Sequence, residues 1–198
     1  LIDPTSDYAR AAAMAMGRAM DEVLIDAALG NAFTGVSGGT TTAGQTAIAN
    51  GGTGLTLAKL LTAKETMDGD DVPENGRVIV CTSDQISDLL NTTEIKSSDF
   101  NTVKALARGE IDSFLGFEFI SVNGKRIDGT KLVPVDGSSH RRCFAFQNEG
   151  LLLGVGADMT TKISERADKN YATQVFCSMS IGGTRMEEAR ALEILCVE

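Results

Sequence analysis

The sequence predicts an α+β fold, with helices and strands interspersed but no regular βαβ series. Three observations carry that expectation. A long, unbroken helical pattern opens the chain, short helical and strand patterns follow it, and the last third is rich in β-forming residues.

In the opening segment, Asp3-Pro4-Thr5-Ser6 offers capping residues and a proline suited to a first turn. From residue 11 to residue 29 only Gly17 breaks a run of helix-compatible residues, and Gly30 provides a stop. Tyr8, Ala12, Met16, Met20, Val23 and Ala27 recur at helical spacing, while Arg10, Arg18, Asp21 and Glu22 stay polar. The spacing predicts one helix over residues 6–29, about 36 Å long at about 1.5 Å per residue. It is expected to lie across a sheet built from the last third of the chain. Residues 31–54 are a different material, rich in Gly and Thr and nearly free of large apolar side chains after Phe33 and Val36. Such a stretch predicts a mobile loop or an extended hairpin reaching away from the core, with residues 35–52 least able to offset their ordering entropy.

Leu57, Leu60, Leu61 and Lys64 are spaced for an amphipathic helix over residues 55–67, which Asp68-Gly69-Asp70-Asp71-Val72-Pro73 ends. The Val78-Ile79-Val80 run predicts a buried strand over 77–82. Ser83 then caps a helix through residue 90, and residues 99–108 read as a third short helix. Residues 117–122, 131–135 and 143–146 are strand candidates, the first followed by an Asn123-Gly124 turn. After the Gly-broken stretch 151–156, strands are expected at 159–165, 171–181 and 191–197.

Composition bounds the function. A chain of 198 residues holds one large domain or two small ones sharing a core. It starts at Leu1 without an initiator Met, which suggests a fragment of a longer polypeptide. No apolar run reaches the ~20 residues of a membrane span, so no membrane partner is expected. The net charge of −9 argues against a nucleic-acid-binding surface, and the only local basic pairs are Lys125-Arg126 and Arg141-Arg142. Cys81, Cys143, Cys177 and Cys196 form no CxxC pair and each lies in an apolar stretch, so they read as small hydrophobes buried in strands.

The search for chemistry returns no catalytic, cofactor or metal residues. Gly35-Val36-Ser37-Gly38-Gly39 matches the serine-hydrolase elbow pattern, yet that elbow needs a strand before it and a helix after it. His140, the single histidine, sits beside Arg141 and Arg142 in an apparent surface loop. Gly51-Gly52-Thr53-Gly54 opens a helix but lacks the Gly-Lys-Ser/Thr of a phosphate loop, and Gly154-Val155-Gly156 lacks the third glycine of a dinucleotide fingerprint. Asp68, Asp70 and Asp71 do not continue into a calcium loop, because Pro73 and Ile79 stand where Gly and Glu are required. Ser37, His140 and the four cysteines are therefore expected to be non-catalytic.

What remains distinctive is the order of motifs. Asp3-Pro4-Thr5-Ser6-Asp7-Tyr8 leads into Gly17-Arg18-Ala19-Met20-Asp21. Ala63-Lys64, Val72-Pro73 and Arg77-Val78-Ile79-Val80 follow, then Leu89-Leu90, Arg108-Gly109-Glu110-Ile111 and Leu115-Gly116-Phe117-Glu118-Phe119. Ser164-Glu165-Arg166 precedes Lys169-Asn170-Tyr171, and Ile181-Gly182-Gly183-Thr184-Arg185 precedes the last strand. In this order the chain resembles the major capsid proteins of tailed bacteriophages. The resemblance implies the Hong Kong 97-type shell fold, with a long spine helix, a peripheral domain (1–54 and 147–184) and an axial domain (55–146 and 185–198). It implies a structural protein of a phage or prophage that self-assembles through hexamers and pentamers into an icosahedral shell. That shell would enclose double-stranded DNA without sequence-specific binding, with scaffold and portal proteins as further partners. It would be made in the bacterial host cytoplasm and end in the virion. The family's N-terminal arm and extended loop would lie upstream of Leu1. An encapsulin-like compartment enclosing protein cargo is the alternative within the fold. From another class, a small hydrolase using Ser37 or a cysteine is the remaining one.

Overall fold

The structure, a computed structural model, describes residues 4–34, 39–41, 47–91, 113–126 and 128–198. Helix α1 (Pro4–Leu29) begins at the proline, two residues earlier than expected. A first-turn residue has no intrahelical acceptor for its N–H, so a residue without one loses nothing there. The helix ends where the Gly30 N–H donates to the Asp26 carbonyl at 2.8 Å. Ile25, Ala28 and Leu29 at its C-terminal end are buried, while Tyr8 and Met14 nearer its start stay exposed.

Strands β1 (Ala32–Thr34) and β2 (Gly39–Thr41) pair antiparallel, the hairpin form of the two expected for this stretch. Residues 47–54 depart from the expectation of a projecting segment. Ile48 packs against the main core and bridges Ile194 in parallel. Its N–H donates to the Glu193 carbonyl at 2.9 Å, and its own carbonyl accepts from Leu195 at 3.0 Å. One isoleucine supplies an apolar anchor that the Gly/Thr composition around it conceals.

The body is a five-stranded sheet in the order β4-β5-β3-β6-β9. Its strands are β3 (Arg77–Cys81), β4 (Ser113–Phe114), β5 (Phe117–Ser121), β6 (Arg141–Gln147) and β9 (Ala191–Cys196). Strands β3 and β5 run parallel, and the remaining pairs are antiparallel. Central β3 is buried at every position, as a strand covered on both faces must be. Alternation divides it. Ile79 and Cys81 join Cys143, Ala145, Leu192 and Ile194 in the core beneath α2 (Leu57–Gly69) and α3 (Ser83–Asn91). Val78, Val80 and Phe144 face the other way and pack against Ile25, Ala28 and Leu29 of α1. The cap of α3 is Thr82 rather than Ser83. The Gln85 side chain, three residues on, accepts from the Thr82 N–H at 3.2 Å, the reciprocal half of a capping box.

Residues 131–135 are not a strand. Lys131 bridges Lys125 while Val135 bridges Arg141, so the two ends pair with different segments, and Leu132 and Val133 are buried between them. The helix expected at 99–108 lies outside the described residues.

The Gly-broken stretch 151–156 and the strand expected at 159–165 are one strand. Strand β7 (Leu151–Arg166) pairs antiparallel with β8 (Ala172–Arg185) along its length, with register shifts between Val155 and Ala157 and between Ala157 and Thr160. Bulges of this kind absorb the irregularity that glycine introduces. Helix α1 lies along this ribbon at very close range at one point. A Cβ added to Gly183 would sit 3.1 Å from Val23 Cγ1 and 3.2 Å from Ala27 Cβ, so any larger residue would require the helix or the ribbon to give by a few tenths of an ångström.

Candidate functional site

Among the described residues, His140 and Asp68, which sequence reading tested for chemistry, are engaged in hydrogen bonds that hold the fold. His140 Nδ1 lies 2.9 Å from Asp136 Oδ2, and Asp136 Oδ1 accepts from the Ser138 and His140 N–H groups at 2.8 Å each. Those hydrogen bonds, the His140 N–H first, hold the Asp136 carboxyl below its usual range. The histidine is half-buried in the turn before β6, held there by its own aspartate. Ser37 lies outside the described residues. Asp68 accepts from Arg77 at 2.6 Å, which holds its carboxyl low, and so the acidic turn closes α2 onto β3. Among the described residues no group of three or more His, Cys, Asp or Glu is arranged to hold a metal ion.

Three cysteines fit the expected place and one does not. Cys81, Cys143 and Cys196 are buried in the sheet. Burial pushes the Cys81 thiol up to about 12, and a hydrogen bond to Cys196 together with burial raises Cys143. Cys177 is only half-buried, because it lies on the ribbon, where a single helix covers part of one face.

Three of the four residues in the basic pairs are tied into the fold. Arg126 pairs with Glu22 at 3.1 Å and with Asp26, joining α1 to the loop after β5. Arg141 donates to the Val133 carbonyl at 2.6 Å and grips both carboxylate oxygens of Glu198 at 2.8 and 2.6 Å. Arg142 pairs with Glu193 and donates to the Leu29 carbonyl at 3.1 Å. Only Lys125 of the four is exposed without an ion pair among the described residues.

Sequence reading missed two cationic clamps. Arg185 donates to the carbonyls of Ala28 and Gly30 at 2.9 and 3.1 Å, and with Arg142 it satisfies the C-terminal end of α1. That helix has no basic residue in its own last turn, the one available hint that distant cations must serve its orphan carbonyls. Lys59 is buried and donates to the carbonyls of Thr53, Gly54 and Leu195 at 2.8, 2.8 and 2.9 Å. Burial lowers its pKa, opposed by neighbouring thiols and Asp88.

What the surface offers instead is contact area. The ribbon exposes Leu152, Val155, Met159, Ile163 and Phe176, with Tyr171 at its turn. Between α1 and the sheet opens a groove of about 610 Å³, lined by Leu24, Ile120, Val122, Phe146 and Leu153, with Arg18 and Asp21 on the helix side. Among the described residues no helix is long and apolar enough to cross a membrane. These exposed apolar side chains are divided between the two faces of the ribbon, because Phe176 pairs with Lys162 while Ile163 pairs with Val175.

The profile of the phage capsid protein family matches residues 1–198. The chain belongs to that family. No curated protein sequence matches it significantly. Among solved structures, the head protein of Helicobacter pylori bacteriophage KHP40 superposes with a TM-score of 0.68 at 11% identity, covering 98% of this chain and 69% of that one. The capsid of cyanophage P-SCSP1u gives 0.66 at 16% identity, with 100% and 67% coverage. Mycobacterium phage Che8 gives 0.62 at 17% identity, with 94% and 61% coverage. The chain thus spans less than two thirds of the Che8 chain. At these identities the likeness shows the fold, and the Hong Kong 97-type shell fold that the motif order implied fits this architecture.

Proposed function

We propose that this phage capsid family chain is the core of a major capsid protein, a structural subunit that assembles with its own copies into an icosahedral shell around double-stranded DNA. The observation that carries the reading is the pairing of a 26-residue helix with a 16-residue strand ribbon whose apolar side chains are largely uncovered within the subunit. A two-stranded ribbon is marginal alone and needs further packing. Contacts between copies provide it, and closed symmetry multiplies contacts that are individually weak.

In this reading, residues 1–54 and 147–184 form a peripheral domain and residues 55–146 with 185–198 an axial one, with Ile48 and Thr53 of the first bound to β9 and Val197 of the second. The ends of β6 at Gln147 and β8 at Arg185, where the chain passes between sheet and ribbon, support that division. DNA is enclosed rather than gripped, in keeping with a net charge of −9 and with Arg126, Arg141 and Arg142 committed to ion pairs within the subunit. The shell itself is not an enzyme, it is found in the virion after synthesis in the host cytoplasm, and scaffold and portal proteins are its assembly partners.

Expression of the full-length protein, followed by electron microscopy and nuclease-protection assay of its contents, tests this. Closed particles that protect DNA when produced with the packaging proteins are expected. Particles that hold only protein cargo would mark a compartment instead, and a protein that stays monomeric at all concentrations would refute a shell role.

A further inference from the structure

Three buried thiols form a row for which the shell reading has no use. Cys81 on β3, Cys143 on β6 and Cys196 on β9 stand on consecutive strands of the five-stranded sheet. All three face the core beneath α2 and α3. Val80 pairs with Phe144, so the next step along β3 sets Cys81 level with Cys143. On the other side Cys143 pairs with Ile194 and Arg141 with Cys196, which makes Cys143 and Cys196 diagonal neighbours. Packing at these positions does not require sulfur, since Ala145, Leu192 and Ile194 fill the same face. Nor are the three thiols alike. The Cys143 S–H donates to Cys196 and lowers the Cys196 thiol, opposed by burial and helped by Lys59. The Lys59 ammonium is anchored next to it, donating to the Leu195 carbonyl at 2.9 Å. Burial, in contrast, pushes Cys81 up to about 12. A thiol favoured as thiolate and in contact with a second thiol is suited to oxidation, whereas one held protonated is inert.

We propose that Cys143 and Cys196 are an oxidation site that closes to a disulfide between β6 and β9. The Cys196 thiolate attacks one oxygen of hydrogen peroxide and hydroxide leaves, giving a sulfenic acid. The Cys143 sulfur then attacks the sulfenic sulfur, the S–S bond forms, and the hydroxyl departs as water with the Cys143 proton. The two thiols thus give up two electrons and two protons, and one peroxide becomes two waters. A disulfide holds its Cα atoms about 4.4–6.8 Å apart, and diagonal neighbours start at about 7–8 Å, so closure draws the strands together by about 1 Å. Strand β9 is the edge of the sheet, so that move strains no second ladder. The chemistry is internal to one subunit and does not depend on the shell reading. Its timing does: thiols stay reduced in the cytoplasm where the chain is made, and they meet oxidant after release.

The test uses the full-length protein with Cys177→Ser as background, treated with hydrogen peroxide and then unfolded in the presence of a maleimide. Peptide mapping should find Cys81, Cys143 and Cys196 all labelled in untreated protein. After peroxide only Cys81 should carry label, and a linked peptide should join Cys143 to Cys196. The urea midpoint should rise by about 1 M on oxidation and return with dithiothreitol. Cys81→Ala should still close, whereas Cys196→Ala should leave Cys143 without a partner. The mapping needs no substitution in the core, so it decides the matter even where a core variant fails to fold. Three labelled thiols after peroxide, a bridge that includes Cys81, sulfinic acids without a bridge, or an unmoved urea midpoint would each overturn the proposal. Electron microscopy of the same samples reports on the shell reading separately, and that reading survives the loss of the disulfide.

Discussion

Neighbouring glycines on β8 should respond in opposite senses to the same substitution. At Gly183 an added Cβ would meet Val23 Cγ1 at 3.1 Å, the Val23 carbonyl oxygen at 3.1 Å and Ala27 Cβ at 3.2 Å. All three belong to α1, so no flexible side-chain end can simply swing aside. At Gly182 nothing lies within 4 Å. Overpacking a tight contact costs about 1–3 kcal/mol, whereas replacing glycine by alanine in permitted backbone stabilises by about 0.4–1 kcal/mol through the unfolded chain. Gly183→Ala is therefore expected to destabilise by about 1–2 kcal/mol net, and Gly182→Ala to be neutral or stabilising by up to about 1 kcal/mol. For a chain of this size the loss corresponds to about 2–8 °C in melting temperature. Urea unfolding followed by circular dichroism reads both variants, and adding Val23→Ala to Gly183→Ala tests the partner. That double variant should lose less stability than the sum of its single changes, because the side chain in the way has been removed. A Gly183→Ala protein as stable as Gly182→Ala would refute the close approach of helix and ribbon.

Three further outcomes follow from the clamps and thiols. Lys59→Met removes a buried donor from three carbonyls, of Thr53, Gly54 and Leu195, and should cost about 2 kcal/mol or more, seen as a lower urea midpoint at unchanged slope. Arg141, and then Lys131, hold the Glu198 carboxyl at about 2 in the folded state, so its contribution is complete above the ordinary carboxylate value and fades as pH falls toward 2. Glu198→Gln should thus be less stable than wild type at pH 7, with the gap closing on acidification. A gap that stays constant to pH 2 would remove Glu198 as the titrating group. Under native conditions a maleimide should label Cys177 alone, with Cys81, Cys143 and Cys196 reacting only after denaturation. Labelling of all four in the native protein would contradict the buried sheet.

Local signals were legible where they were also the deciding ones. Pro4 and Gly30 bound α1, and the Val78-Ile79-Val80 run marks a strand buried on both faces. Each of these is a property of a residue and its near neighbours. The composition of residues 31–54 pointed away from the core, yet Ile48 is bound to β9, because a single long-range bridge outweighs a Gly-rich context. Likewise Lys131 and Val135 had β-compatible neighbours but no common partner strand. The basic pairs gave no sign of their ion-pair partners, because a sequence does not reveal that Glu22, Asp26, Glu193 and Glu198 approach them from far along the chain.

The sequence by itself determined the α+β class, the long opening helix, the β-rich final third and the absence of a recognisable catalytic motif, since these depend on periodicity, composition and spacing. Only the tertiary structure decided that β7 is one continuous ribbon strand, that Arg142 and Arg185 cap α1, and that an apolar groove of about 610 Å³ opens between α1 and the sheet. Those features depend on which distant residues meet, and a chain's local chemistry leaves that choice to the packing of the whole fold.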